Sequence, residues 1–187
     1  MRKIIFLDRD GVINKDPMNT AYGYVTKWEE FKYLPGAKRA IRKLTEAGYV
    51  IYVVSNQAGV AKGYFTLKDL EDVTKRMLKE IAKAGGKIAG VFYCPHRKED
   101  NCVCRKPNAG LFKKALGRKR IDFKNAFFIG DKISDIQAGH AADLKTILVL
   151  SGLTSLKNKM AWKAKPDYIK RDLLNAVNWI LKTEGAG

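Results

Sequence analysis

Apolar runs of strand length alternate with segments of helical period along this chain, and that alternation leaves few folds open to it. Ile4–Leu7 reads as a buried strand, and Ala37–Ala47 as a helix started after Pro35-Gly36 and stopped by Gly48. Tyr49–Val54 is a β-branched and aromatic run of the kind buried on both faces of a sheet. Thr66 reads as an N-cap with Asp69 as the acidic partner of a capping box. The helix it opens carries Leu67, Leu70, Val73, Met77, Leu78 and Ile81 on one face and ends before Gly85-Gly86. Strand signals return at Ile88–Tyr93, Ala126–Ile129, Thr146–Leu150 and Tyr168-Ile169, with helices over Ala109–Leu116, Ser134–Ala141 and Leu173–Leu181. Right-handed crossovers then give a mostly parallel sheet covered by helices, a three-layer Rossmann-like α/β fold. Lacking repeats, low-complexity stretches or linkers, residues 1–187 are expected to form one domain.

Ligands in such sheets bind at the carboxyl ends of the strands, so those positions are where chemistry is to be sought. After the first strand stand Asp8 and Asp10, two carboxylates one residue apart on a fixed backbone. Alone, Asp-x-Asp-Gly also suits a plain turn. After the second strand come Ser55-Asn56-Gln57, a hydroxyl and two amides, and after the fourth Gly130-Asp131-Lys132, with Ser134 and Asp135 opening the next helix. Arg105-Lys106-Pro107 precedes the helix near Leu111.

Three carboxylates, a hydroxyl and a lysine at one edge are what phosphoryl transfer requires. Asp8 suits the nucleophile of an aspartyl-phosphate mechanism, and Asp10 the acid that protonates the leaving oxygen and then activates water. A Mg²⁺ shared by Asp8, Asp131 and the backbone carbonyl of Asp10 would neutralise the crowded negative charge. Ser55 and Lys106 would bind the non-bridging oxygens.

The net charge of +17, from 36 Lys and Arg against 19 Asp and Glu, is high for an enzyme of small molecules. It would attract polyanions without specifying them. Part of it is local: Arg105, Lys106, Lys113, Lys114, Arg118, Lys119, Arg120 and Lys124 face Asp122 alone in that stretch. A solvated lysine-rich surface accounts for this, and a nucleic-acid face is the alternative, although base-stacking aromatics are not interleaved with it. The start of the chain is too short in apolar residues for a signal peptide, and no apolar stretch reaches the roughly 18–20 residues of a membrane span. The expected compartment is the cytoplasm, with no membrane partner.

All three cysteines fall within the eleven residues from Cys94 to Cys104, and His96, one of two histidines, lies among them. Cys94, His96, Cys102 and Cys104 make a complete tetrahedral set with no position left for a catalytic water, the signature of structural zinc. Free thiols are the plain alternative. A Zn²⁺ here would pin a polar loop that ends at Arg105-Lys106 and so fix residues that contact substrate. His140, on the helix after Asp135, reads as structural.

Asp8-x-Asp10-Gly11, Ser55, Lys106 and Gly130-Asp131-x-x-x-Asp135 occur in the order of the four motifs of the haloacid dehalogenase (HAD) superfamily, and the chain resembles its phosphatases across roughly residues 4 to 140. The Cys-x-His…Cys-x-Cys-Arg-Lys-Pro pattern narrows the resemblance to the branch of heptose bisphosphate and histidinol-phosphate phosphatases. Phe6–Asn14, Gly23-Tyr24-Val25 and Ser55–Thr66 favour the heptose branch, while Ser55 in place of a commoner threonine keeps the hydroxyl. The short spacing from His96 to Cys102 is nearer the histidinol-phosphate pattern.

The resemblance implies a Mg²⁺-dependent phosphatase that removes the 7-phosphate of a heptose 1,7-bisphosphate, a step toward lipopolysaccharide core precursors. It implies substrate recognition by Arg105, with Lys132 and the Gly23-Tyr24 region on the sugar phosphate, beside Asp8, Asp10, Ser55, Asn56, Gln57 and Lys106. It also implies a HAD fold with a zinc-bound loop; no insertion is long enough for a large cap domain, and Val12–Tyr33 and the zinc loop are the candidate covers. The expected partner is a phosphosugar bound by a monomer. Histidinol-phosphate phosphatase, a phosphatase of nucleic-acid ends and a basic zinc-bearing nucleic-acid-binding module are the rival readings.

Overall fold

The computed structural model describes residues 3–117 and 126–184. Six strands, β1 (Ile4–Leu7), β2 (Val50–Asn56), β3 (Gly90–Cys94), β4 (Ala126–Gly130), β5 (Lys145–Val149) and β6 (Tyr168–Lys170), form one sheet in the order β3-β2-β1-β4-β5-β6. Every pairing is parallel, so the expected mostly parallel sheet is parallel throughout these strands. Parallel pairing demands crossovers, and α1 (Ala37–Glu46), α2 (Leu67–Lys83), α3 (Gly110–Leu116), α4 (Ile133–His140) and α5 (Leu173–Glu184) fall between or after the strands.

Period-two alternation in β1 divides the core. Ile5 and Leu7 join α1, α2 and α5 through Ile41, Met77 and Val177 on one face. Ile4 and Phe6 join α3 and α4 through Phe112 and Ala138 on the other. Phe112 meets Phe6 and Phe128 edge-on at 5.0 and 4.9 Å, which closes the second layer. This is the three-layer arrangement that the alternation of elements implies.

Thr66 and Asp69 form the reciprocal capping box at the start of α2. Leu67 departs from the expected apolar face: it is the first residue of α2 and 58% exposed, and burial begins one turn later at Leu70. The third strand starts at Gly90 rather than Ile88, since Tyr52 is the first β2 residue to find a partner there.

The chain reverses direction of winding at β1, with β2 and β3 on one side and β4 to β6 on the other. Leu7 is in register with Val53 and Ile129, so Asp8, Ser55 and Asp131 emerge along one edge of adjacent strands. Among the described residues, no segment builds a second domain over that edge. Arg118, Lys119, Arg120, Asp122 and Lys124 of the basic stretch lie outside the described residues, while Lys113 and Lys114 are exposed and Lys106 is buried.

Candidate active site

Asp8 continues β1 by one hydrogen bond, its N–H donating to Ile129 O at 2.9 Å, so the carboxylate leaves the sheet at a fixed height. Lys106 approaches from the loop before α3. Its Nζ stands 2.9 Å from Asp8 Oδ1 and 2.7 Å from Asp135 Oδ1, and it donates to Val54 O at 3.1 Å. Burial alone would lower the Lys106 pKa, but Asp135 and Asp8 outweigh it and hold the ammonium charged.

Asp8, Asp131 and Asp135 are buried together, each offering an oxygen within 4.8 Å of the others. Asp135 is the most committed of the three: beside Lys106, its Oδ2 accepts from the backbone N–H groups of Asp131 and Lys132 at 3.2 and 3.0 Å. Asp131 is the least committed. Its Oδ2 accepts from Leu153 N at 3.1 Å, and its buried Oδ1 has no hydrogen-bond partner among the described residues.

Burial, then the neighbouring Asp135, pushes the Asp131 carboxyl well above its ordinary range. Burial also raises Asp8, against the pull of Lys106. An orphaned buried oxygen among three carboxylates is the environment a hard divalent cation satisfies, so these residues fit Mg²⁺.

Two glycines make room for that cluster. Gly11 turns the chain at φ +83°, and a side chain there would strike the Asp131 carboxylate. Gly152 approaches the same carboxylate equally closely from the loop after β5, beside Ser151, whose Oγ donates to Gly11 O at 2.7 Å. The sequence offered no signal for this loop, since its contribution is backbone and the absence of a side chain.

Asp10 points elsewhere. Arg9 donates to it from Nε at 3.3 Å and from Nη2 at 3.1 Å to both oxygens, Asn14 Nδ2 donates to Oδ1 at 2.8 Å and Gln57 Nε2 to Oδ2 at 2.7 Å. Burial works against ionisation, yet the Arg9 charge and the donated hydrogen bonds prevail and hold Asp10 below the usual carboxylate range. Arg9 and Asn14 are fully buried partners that no sequence argument singled out.

Gln57 also approaches Ser55 Oγ at 3.2 Å, so its amide links the two groups. Asn56 grips the backbone of Lys106 from both sides, accepting from its N–H and donating to its carbonyl, each at 3.0 Å.

A cleft of about 830 Å³ opens beside this edge. Gly23, Tyr24, Asn56, Arg105, Lys106 and Lys132 line it, so the residues expected to take the sugar phosphate share one wall or another of it. Gln57 is fully buried and turned toward Asp10 and Ser55. Lys132 reaches Asp16 at 3.3 Å, and its charge is reinforced by Asp131 and Asp8 against the cost of burial. Behind the lining, Tyr64 stacks on Tyr22 at 4.8 Å, and Arg97, next to Lys98, donates from Nε to Ala61 O at 2.9 Å.

The far wall is the cysteine loop. Cys94 Sγ lies 3.5 Å from Cys102 Sγ and 3.2 Å from Cys104 Sγ, and His96 Nδ1 lies 3.2 Å from Cys104 Sγ. All four ligand-type atoms fall within 4.8 Å of one another. Burial, followed by the Cys104 hydrogen bond, pushes the Cys94 thiol up to about 12, so only a bound cation would hold it as thiolate. The set of three sulfurs and one imidazole fits zinc. Arg105, directly after Cys104, donates from Nη1 to His96 O at 3.2 Å. His140 stands away from this edge, near the start of β5, with Nε2 3.1 Å from Thr146 Oγ1.

Residues 103–176 match the HAD-hydrolase-like family model. A D-glycero-beta-D-manno-heptose-1,7-bisphosphate 7-phosphatase of Neisseria meningitidis is 39% identical over 150 residues, covering 80% of this chain and 78% of the relative. A D-glycero-alpha-D-manno-heptose-1,7-bisphosphate 7-phosphatase of Campylobacter jejuni is 41% identical over 149 residues, covering 80% and 83%. The solved D,D-heptose 1,7-bisphosphate phosphatase of B. bronchiseptica, complexed with magnesium and phosphate, superposes with a TM-score of 0.87 at 31% identity, covering 98% of this chain and 99% of the other.

Proposed function

This chain belongs to the heptose 1,7-bisphosphate 7-phosphatases of the HAD-like hydrolases, and on that footing we propose that it releases the 7-phosphate of D-glycero-D-manno-heptose 1,7-bisphosphate. It is a phosphoric monoester hydrolase. The observation that carries the residue assignment is Lys106, a buried ammonium 2.9 Å from Asp8 at the point where the winding of the sheet reverses. That is where ligands of open α/β sheets bind.

One Asp8 carboxylate oxygen attacks phosphorus as the bond to the C7 oxygen breaks, and Asp10 gives that oxygen its proton, which the carboxyl takes up once the charge of the substrate phosphate opposes the Arg9 charge that otherwise keeps it ionised. Asp10, now a carboxylate, takes a proton from water, whose oxygen attacks the aspartyl-phosphate and frees Asp8 and inorganic phosphate. Ser55 Oγ and Lys106 Nζ bind the non-bridging oxygens, where charge must be held as the bonds exchange. A Mg²⁺ held by Asp8, Asp131 and the backbone carbonyl of Asp10 would neutralise charge on the phosphoryl group.

Arg105, Lys132, Gly23 and Tyr24 line the cleft and would hold the rest of the sugar phosphate, with the two cationic side chains suited to its second phosphate. Zinc on Cys94, His96, Cys102 and Cys104 would fix the loop that carries Arg105 and Lys106. No helix among the described residues is long and apolar enough to cross a membrane. The reading is of one phosphatase domain, working as a cytoplasmic monomer on a phosphosugar.

A phosphate-release assay comparing heptose 1,7-bisphosphate, histidinol phosphate and a 3′-phosphorylated oligonucleotide tests the substrate. The highest kcat/KM is expected on the heptose bisphosphate; a preference for either of the others would overturn that assignment.

A further inference from the structure

Arg9 occupies the position between the two aspartates of the first motif, and its side chain presents a puzzle of cost. It is fully buried, and its Nη1 has no hydrogen-bond partner among the described residues. A buried cation with an unmet donor is expensive unless its remaining donors do something that offsets it. The fold does not need them, because backbone groups close this turn: the Arg9 carbonyl accepts from Ile13 N at 2.8 Å and from Asn14 N at 3.1 Å. What the side chain does is take hold of Asp10, with Nε and Nη2 spread over both carboxylate oxygens, while its guanidinium lies 5.6 Å from the Tyr93 ring centroid. Tyr93 is itself held by Thr74 of α2, hydroxyl to hydroxyl at 2.8 Å. Asn14 adds a donor to Asp10 Oδ1 at 2.8 Å, and its amide bonds otherwise only to Lys15 O, at 2.9 Å, among the described residues.

We propose that Arg9 and Asn14 are positioning residues of the proton-transfer step, acting on the leaving group solely through Asp10. Neither side chain has a hydrogen bond to Asp8, Ser55 or Lys106 among the described residues, so a change in either reaches the phosphoryl-binding groups only through Asp10 and the Gln57 amide that joins it to Ser55. Arg9 presents a planar fork that fixes both the direction and the rotation of the carboxylate, which a point charge would not. Asn14 adds a third donor to Oδ1, on which both Nε and Nη2 of the fork already converge, while Oδ2 takes Nη2 and Gln57. The proposal rests on Asp10 as acid and base, and it concerns only how that group is aimed.

The chemistry supplies a test that a general structural role would not pass. When the P–O bond of an alkyl phosphate breaks, the departing alkoxide must receive the Asp10 proton. The leaving group of p-nitrophenyl phosphate is stable as an anion and needs that proton little. The kcat/KM value reports the first transfer, to Asp8, while turnover also includes hydrolysis of the aspartyl-phosphate, for which Asp10 must accept a proton from water. Arg9→Met and Asn14→Ala should therefore lose about 10²-fold in kcat/KM on the heptose bisphosphate and no more than about threefold on p-nitrophenyl phosphate. With the aryl ester, both variants should show a burst of nitrophenolate matching the enzyme concentration before a slow steady rate.

Asn14→Ala, a smaller change to the interior than Arg9→Met, carries the test if the arginine variant does not fold. Equal losses on the two esters, or no loss on either, would overturn the proposal. Asp10→Ala separates the two levels of inference: selective loss there with none in the other variants rejects the positioning role alone. Equal loss there on both esters rejects the acid–base reading itself.

Discussion

Asn56 and Lys106 are joined by a two-point amide clasp, N–H to Oδ1 and Nδ2–H to carbonyl, both at 3.0 Å. The clasp sets the backbone from which the Lys106 ammonium reaches Asp8. Asn56→Ala leaves a buried donor and acceptor unmet, a loss of about 1–3 kcal/mol. The expected result is a lower melting temperature and a fall of about tenfold in kcat, read by phosphate release. Full activity in the alanine variant would mean that the zinc-type loop places Lys106 unaided.

Asp8→Asn keeps the size of the side chain and removes the nucleophile. Turnover should drop on the order of 10³-fold or more. The circular dichroism spectrum should be preserved, because the Asp8 backbone bond to Ile129 remains and Asp135 still pairs with the buried Lys106 ammonium. Activity near that of the parent would reject the aspartyl-phosphate route.

The metal-free protein should lose stability as pH rises. Burial and Asp135 raise the Asp131 carboxyl above its ordinary 3.8, so the folded state binds this proton more tightly than the unfolded state. Stability from this group is complete below about pH 3.8 and declines from there upward until the folded-state value is passed. Melting curves of parent and Asp131→Asn in chelator isolate the effect, with the parent falling relative to the variant across that window. Mg²⁺ should restore the parent at neutral pH and do less for the variant. A parent that gains on the variant as pH rises would contradict the sign.

Cys104→Ser attacks the loop at the residue that precedes Arg105. Elemental analysis should find about one zinc per parent chain and a sharply lower content in the variant. Substrate affinity should weaken by about 10- to 100-fold, because ligands of this kind orient what lies beyond them. Purified parent protein with no metal at all would refute the zinc site.

Gly152→Ala places a methyl group against the Asp131 carboxylate. It should raise the Mg²⁺ concentration needed for half-maximal rate by about tenfold and lower the melting temperature, because Asp131 is fully buried and the overlap reaches its Cβ as well as its carboxylate. An unchanged metal requirement would show that Asp131 has room to move.

Much of this was legible from the chain because chemistry and topology coincide. Asp8, Ser55 and Asp131 each follow a run that can only be an interior strand, and parallel strands set their ends along one edge. The cysteine cluster was legible from spacing alone. Arg9 was not, because an arginine in a polar motif looks like any solvated cation until its burial is known. Asn56 and Gln57 carry amides expected to meet substrate; Asn56 lines the cleft, and what the residue types could not show is that the same amides also hold Lys106, Asp10 and Ser55. Gly152 and Leu153 act through a missing side chain and a backbone N–H, and neither leaves a mark in a pattern of residue types.

The cysteine loop has a consequence for how such a protein changes over generations. Cys94, His96, Cys102 and Cys104 gather the loop at its own ends, while Lys98 and Asn101, between those anchors, face the cleft. Their neighbours contribute almost nothing to the hydrophobic layers. The stretch from Lys98 to Asn101 can therefore be rewritten for a new ligand without renegotiating the interior that keeps Asp8 and Lys106 in place, provided that Arg97 keeps its hold on Ala61 O.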